Sequence, residues 1–353
     1  MEQDPLKSVL SSENPAISKV MGNLAAHEVQ ILYTEIVREK NGGVKFKDHS
    51  FQVNDQHYFY PASTVKLPAA VLALELVDLD SLLTKDSKYT IERDSLSHTI
   101  ADDVRQIFAV SDNEAYNRMY EFIGRSYIDR KMHYKDMAPV RIAHRLSTEN
   151  AAETARLPLH FEGLPIRGFG YSDEYLYALD LEKQFKGKGY MRNDSLIGQP
   201  MDFSLKNYFP LRSQHSTMKR IFFPEKFTKK FQFNLTGESM AFLKEQMYTV
   251  PRKNGYDESE YYDGYVKFFL FGDTKERIPE HIKIYNKVGY AYGTLTDTAY
   301  IVDEKEGVEF ILSATILVNS NGIFNDDSYE YDEIGIPFLA ALGREIHAYE
   351  LQK

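Results

Sequence analysis

The chain reads as an α+β protein in which N- and C-terminal segments share one antiparallel sheet around a helical block. Three observations predict this. β-Branched and aromatic residues alternate near both ends, at 28–38 and 281–317. Between about 63 and 160 the pattern turns helical, and a last helix closes the chain over 334–350. At 353 residues there is room for one large domain or two modest ones. The element order favours one, spanning 1–353.

Taken in order, residues 28–38 (EVQILYTEIVR) form a strand, and NGG at 41–43 turns the chain into a second alternating run, VKFKDHSFQV at 44–53. The N-terminal strands thus occupy 28–60. Ser63 to Leu79 is apolar nearly all round, the mark of a buried helix, with Pro68 as a possible bend in its second turn. Residues 99–124 read as two helices interrupted at Ser111 to Asn113. Residues 161–235 carry scattered Gly, Pro and aromatic residues with weak periodicity, and read as an insertion-like elaboration over the core. Thr236 caps a helix that Pro251 stops, three antiparallel strands follow over 281–317, and the C-terminal unit runs 236–350.

Composition excludes several functions. Apolar content is 43%, charged content 27% and the formal net charge -10, so no basic footprint for nucleic acid exists. No apolar run reaches the length of a membrane span. With no cysteine, any covalent catalysis uses oxygen or nitrogen. The N-terminus lacks the basic-then-apolar layout of a secretory leader, so either the chain is cytoplasmic or a leader has been removed.

YFYPASTVKLPAAVLALE at 58–75 sets Ser63 and Lys66 three positions apart at a helix start. Residues i and i+3 share a helix face, and the helix end offers N–H groups to an oxyanion. A capped structural helix has the same pattern, and a second copy, Ser216 to Lys219 (STMK), reads as a surface turn or cap. SDN at 111–113 suits a helix N-cap, or a proton relay at Ser111 with an amide at Asn113 for substrate. KVG at 287–289 is a common tripeptide pattern, recurring at Lys40 and Lys253, but only Lys287 lies on an interior strand. There a cation faces a groove and Gly289 allows close approach.

S-x-x-K at a helix start, then S-D-N, then K-x-G on a late strand resembles the class A β-lactamase-like serine hydrolases of the penicillin-recognising superfamily. The resemblance covers roughly 28–150 and 236–350 and implies the β-lactamase/transpeptidase-like fold. It implies Ser63 as acylated nucleophile, Lys66 in its deprotonation, and Ser111 as proton shuttle. Asn113 would bind the substrate side chain, Lys287 would attract a carboxylate, and the N–H groups of Ser63 and Tyr290 would form the oxyanion hole. Two departures stand out. Val288 replaces the hydroxyl of K-T-G, and 141–158 holds Glu149 and Glu153 but no E-x-x-x-N, leaving Glu149 as the candidate deacylation base.

Elsewhere the ten histidines lack metal-ligand spacing. FNDDSYEYDE at 324–333 reads as a solvated acidic turn rather than a calcium loop, and no dinucleotide or phosphate fingerprint occurs. No metal or cofactor is expected. The expected function is acyl-enzyme hydrolysis of β-lactams or cell-wall D-alanyl peptides. The alternatives are a DD-peptidase or esterase at the same site, or a penicillin-binding-like protein without turnover. The partner is a small molecule or peptide, and the family's substrates favour a periplasmic or exported location.

Overall fold

Antiparallel pairing lays the two ends of the chain side by side. The structure, a computed structural model, describes residues 4–40, 42–92, 94–137, 139–167, 170–171 and 179–353. Strands β1 (Gln30–Arg38) and β2 (Val44–Phe51) form the first hairpin. Strands β3 (Ile282–Ala291), β4 (Thr294–Asp303) and β5 (Val308–Leu317) form a meander. The sheet order is β3-β4-β5-β1-β2, with Gln30 opposite Thr315 and Glu35 opposite Phe310. Strand β3 is therefore an edge. Its turn to β4 is two residues long, with Tyr292 and Gly293 both at positive φ (52° and 75°), the type I′ geometry that matches strand twist.

Apolar clusters cover both faces of the sheet. One contains the short N-terminal helices Pro5–Leu10 and Pro15–Met21 and the C-terminal helix Ile336–Glu350. The other contains the helical block. Its central helix α1 (Lys66–Leu79) continues a 3₁₀ turn, Ala62–Val65, and is buried on nearly every side. Pro68 falls among the first four residues of α1, whose N–H groups have no intrahelical acceptor, so the helix runs unbroken to Leu79. Helix α2 (Ile100–Val110) is capped by Thr99, whose side chain accepts from Asp102 N at 3.0 Å, and ends at Ser111. Helix α3 (Asn113–Ile123) begins directly after it.

Two expectations need correction. The stretch 63–160 is not wholly helical: Lys88–Ile91 and Asp94–Thr99 pair as a hairpin, inserting Tyr89 and Ile91 into the core. After helix Arg125–Tyr134, much of the remainder is loop. The weakly periodic 161–235 also holds a core element, helix α4 (Leu211–Phe222), packed on β1, β4 and β5. Its apolar residues are few, Leu211, Met218, Ile221 and Phe222, and its buried face is completed by polar ones. His215 lies between Thr34 (2.7 Å) and Ser313 (2.9 Å) on the sheet, and Ser213, Gln214 and Thr217 are buried beside it.

Candidate active site

The turn before α1 is held in a conformation the chain does not adopt freely. Ala62 has φ 46°, a left-handed value costing a non-glycine residue about 1–2 kcal/mol. Thr64 stabilises the turn, its hydroxyl donating to Pro61 O at 2.7 Å. Ser63, next in sequence, opens onto a cavity of about 520 Å³.

Beneath Ser63, Lys66 is buried, and its Nζ donates to Ser63 Oγ at 2.9 Å, Asn113 Oδ1 at 2.7 Å and the carbonyl of Ser111. Burial pushes its pKa down to about 7, opposed only by the more distant charge of Asp112. A free amine is thus populated near neutrality beside the hydroxyl.

The S-D-N tripeptide divides its labour. Asp112 is the cap of α3, accepting from Ala115 N at 2.8 Å. Ser111 sits at φ 58°, which turns both its carbonyl and its hydroxyl toward the lysines. Asn113 holds Lys66 through its oxygen and donates to Ser147 Oγ at 2.9 Å through its nitrogen. The cap and the site are therefore both present, on adjacent residues.

Lys287 comes from edge strand β3. Its Nζ donates to Ser111 Oγ at 2.7 Å, so this hydroxyl bridges toward Lys66, 3.4 Å away. Burial, then the charge of Lys66, holds Lys287 well below an ordinary lysine, and Asp297 opposes the shift. Behind it Lys267 donates to Asn286 Oδ1 at 2.7 Å and Asn286 Nδ2 to Asp297 at 2.8 Å. Burial raises Asp297 to about 6 and lowers Lys267 to about 7. The sequence reading missed this polar layer; its available signal was Asp297, in the middle of the apolar and hydroxyl-rich β4 rather than at its end like Asp303.

Gly289 is where β3 meets the turn that carries Ser63. A Cβ there would lie 2.7 Å from Pro61 O and 2.8 Å from the nitrogens of Ser63 and Thr64, all backbone atoms that cannot swing away. In the I′ hairpin Ala291 and Thr294 close the ladder, so alternation turns the N–H of Tyr290 to the free edge. Val288 is buried in the apolar cluster on the C-terminal-helix side of the sheet.

Glu149 is not brought to Ser63. It is exposed and lines a neighbouring groove with Glu114 and Glu153, joined to the Ser63 cavity only through Ser147. The cause lies in the 141–158 loop: buried Arg145 pairs with Glu121 of α3 and donates to the carbonyls of Glu153 (2.8 Å) and Ala155 (2.7 Å). This pins the loop with the residues after Leu146 turned outward.

The rim is tyrosine-rich: Tyr60, Tyr290, Tyr292, Tyr329 and Tyr331 line the cavity. The middle of the chain supports it. Gly189–Arg192 pairs in parallel with Ile323–Phe324, Asn325 donates to Met191 O at 2.9 Å, and buried Phe203 packs on Tyr292 and Phe324. In the acidic stretch 324–333, Asp326 bonds Asn321 and Ser328, while Glu330 bonds Ser320. Among the described residues, no His, Asp and Glu cluster could hold a metal, and no helix is long and apolar enough to cross a membrane.

The model for the β-lactamase enzyme family matches residues 15–158. Structural likeness extends further. A β-lactamase from Burkholderia ambifaria aligns at a TM-score of 0.53 with 13% identity, over 96% of this chain and 98% of that one. One from Desulfarculus baarsii DSM 2075 gives 0.54 and 12%, over 98% of each chain. One from Sphaerobacter thermophilus DSM 20745 gives 0.52 and 11%, over 100% of this chain and 99% of that one. Among curated proteins no sequence matches. The α+β fold is that of the β-lactamases. By the family match over 15–158 and this fold, the chain is similar to the β-lactamases.

Proposed function

We propose that the chain is a serine hydrolase that forms an acyl-enzyme at Ser63. The observation that carries this reading is the contact of Lys66 Nζ with Ser63 Oγ at 2.9 Å, with no carboxylate hydrogen-bonded to the amine. Ser63 Oγ attacks an acyl carbonyl while its proton passes to the neutral amine of Lys66. The N–H groups of Ser63 and Tyr290 hold the oxyanion, each worth about 3 kcal/mol. The proton then reaches the leaving group through Ser111 Oγ, which sits between Lys66 and Lys287. Asn113 and the Lys287–Gly289 strand position the substrate.

The likeness to β-lactamases supports β-lactams or related D-alanyl amides as substrates, and an exported location. The outward position of Glu149 supports acylation that outruns hydrolysis, because no glutamate lines the Ser63 cavity to orient a water. Intact-mass measurement after incubation with benzylpenicillin and, separately, with an activated p-nitrophenyl ester tests this. A persistent adduct absent from Ser63→Ala is expected. An adduct that survives Ser63→Ala overturns the assignment, and rapid loss of the adduct from the native chain overturns the slow-deacylation part alone.

A further inference from the structure

Among the described residues, Asp327 is the one acidic or basic side chain that lines the cavity over Ser63, and no lysine or arginine does. The two lysines of the site lie beneath the floor, each less than 3% exposed, with their amines turned into Ser111, Asn113 and Val288 O. The expectation that Lys287 presents a cation to a substrate carboxylate is therefore not what a ligand entering the cavity meets.

What it meets is Asp327 against tyrosine. Asp327 is exposed, and among the described residues it makes no hydrogen bond or ion pair. It shares the cavity wall with Tyr292, Tyr329 and Tyr331, whose hydroxyls are raised by burial first, with the nearby charge of Asp327 adding a smaller push in the same direction. The rings are fixed in place. Tyr331 OH accepts from Gly293 N at 2.8 Å and Tyr329 OH from Asn325 N at 2.6 Å. Tyr331 packs edge-on against Tyr290, with centroids 5.3 Å apart and planes at 74°. An unpaired carboxylate among immobilised aromatic rings is the chemistry that recognises an ammonium ion, by charge and by the negative ring faces. A carboxylate seated against these rings is repelled by the same group, so a carboxylated acyl compound enters with that end turned away from Asp327.

The neighbouring groove extends the same field. It exposes Glu92, Glu114, Glu149 and Glu153, and its two arginines are already neutralised, Arg118 by Asp103 and Arg145 by Glu121. Negative potential thus flanks Ser63 on both sides.

We propose that the Ser63 cavity selects acyl compounds bearing an ammonium group, with Asp327 and the tyrosines of the rim as the specificity-determining subsite. This rests on the reading of Ser63 as nucleophile and names the substrate class of that site.

The test uses two isosteric substrates, the p-nitrophenyl esters of 6-(trimethylammonio)hexanoate and of 7,7-dimethyloctanoate, which differ by one charge. The native chain is expected to favour the cation in kcat/KM by about tenfold or more. Asp327→Asn, which tolerates the left-handed φ of 54° at this position, should bring the ratio near one, and Asp327→Lys should invert it. Equal rates in the native chain, or a ratio untouched by Asp327→Asn, overturn the proposal.

A second arm separates it from the nucleophile reading. Calorimetric titration of the Ser63→Ala protein with 6-(trimethylammonio)hexanamide, against its neutral isostere 7,7-dimethyloctanamide, reads binding without chemistry. Cation-selective binding that Asp327→Asn abolishes upholds the subsite even if neither ester is cleaved through Ser63. Binding that ignores the charge overturns the subsite even if both esters acylate Ser63.

Discussion

The chain carries the same four-residue pattern twice, and the two copies have opposite fates. At Ser63 the pattern opens a helix, and Lys66 Nζ reaches Ser63 Oγ and three other oxygens of neutral groups. At Ser216 it lies inside α4. There Lys219 turns away to Asp48, 2.6 Å distant, and Ser216 Oγ accepts from Arg220 Nε at 3.1 Å. Both lysines are largely removed from water. One is surrounded by neutral oxygens and becomes a free amine near pH 7; the other keeps a carboxylate and with it an ion pair. Spacing brings a lysine within reach of a serine, but the nearest anion decides whether it is a base.

The largest break in the comparison is removal of the hydroxyl. Ser63→Ala is expected to lower the acylation rate by about 10⁴-fold or more, read by intact-mass kinetics, whereas Ser216→Ala leaves it unchanged. Equal losses in the two variants would mean that position in the fold does not separate them. Next, Lys66→Met should cost about 10³-fold through loss of the base. Lys219→Met instead removes an ion pair whose carboxylate is exposed to water and should lower stability by no more than about 1 kcal/mol in urea titration, with acylation intact.

Gly289→Ala pushes backbone against backbone at the nucleophile turn and should slow acylation about 10²-fold while the fold persists by circular dichroism. The finest test gives Lys66 what Lys219 already has. Asn113→Asp places a carboxylate where Asn113 Oδ1 lies 2.7 Å from Lys66 Nζ, and should raise the lysine pKa. In the native chain the working form is the free amine, so activity rises with pH through about 7. In the variant that limb moves to higher pH, so the rate at pH 7 drops about tenfold or more and recovers toward pH 9. A limb that stays near 7 would mean another group controls it.

Much of this was legible from residue pattern. The strands at both ends, the buried α1, the Thr236 cap and the convergence of Ser63, Lys66, Ser111, Asn113 and Lys287 follow from alternation, turn chemistry and motif order. Helix α4 was not, because a helix with so few apolar residues, its buried face completed by Gln214, His215 and Thr217, reads as a polar surface segment. Reading Ser216 to Lys219 as a surface turn failed for the same reason: Lys219 and Thr217 are buried in mid-helix. The rim was equally hidden. Asp327 and the tyrosines gain meaning only when the 189–192 strand carries the 323–331 loop to the cavity, a pairing between distant segments that leaves no local signal.

The placement of β1 has a consequence in time. This strand, made well before β5, sits inside the sheet with β5 on one side, and Gln30 waits for Thr315 before its ladder can close. Lys287 and Gly289 arrive on the same late meander. Contacts so distant along the chain slow folding and cannot form on a partly made polypeptide. The nascent chain therefore carries Ser63 without the second lysine or the β3 edge until residues 282–317 have been made, and the site is assembled only after them.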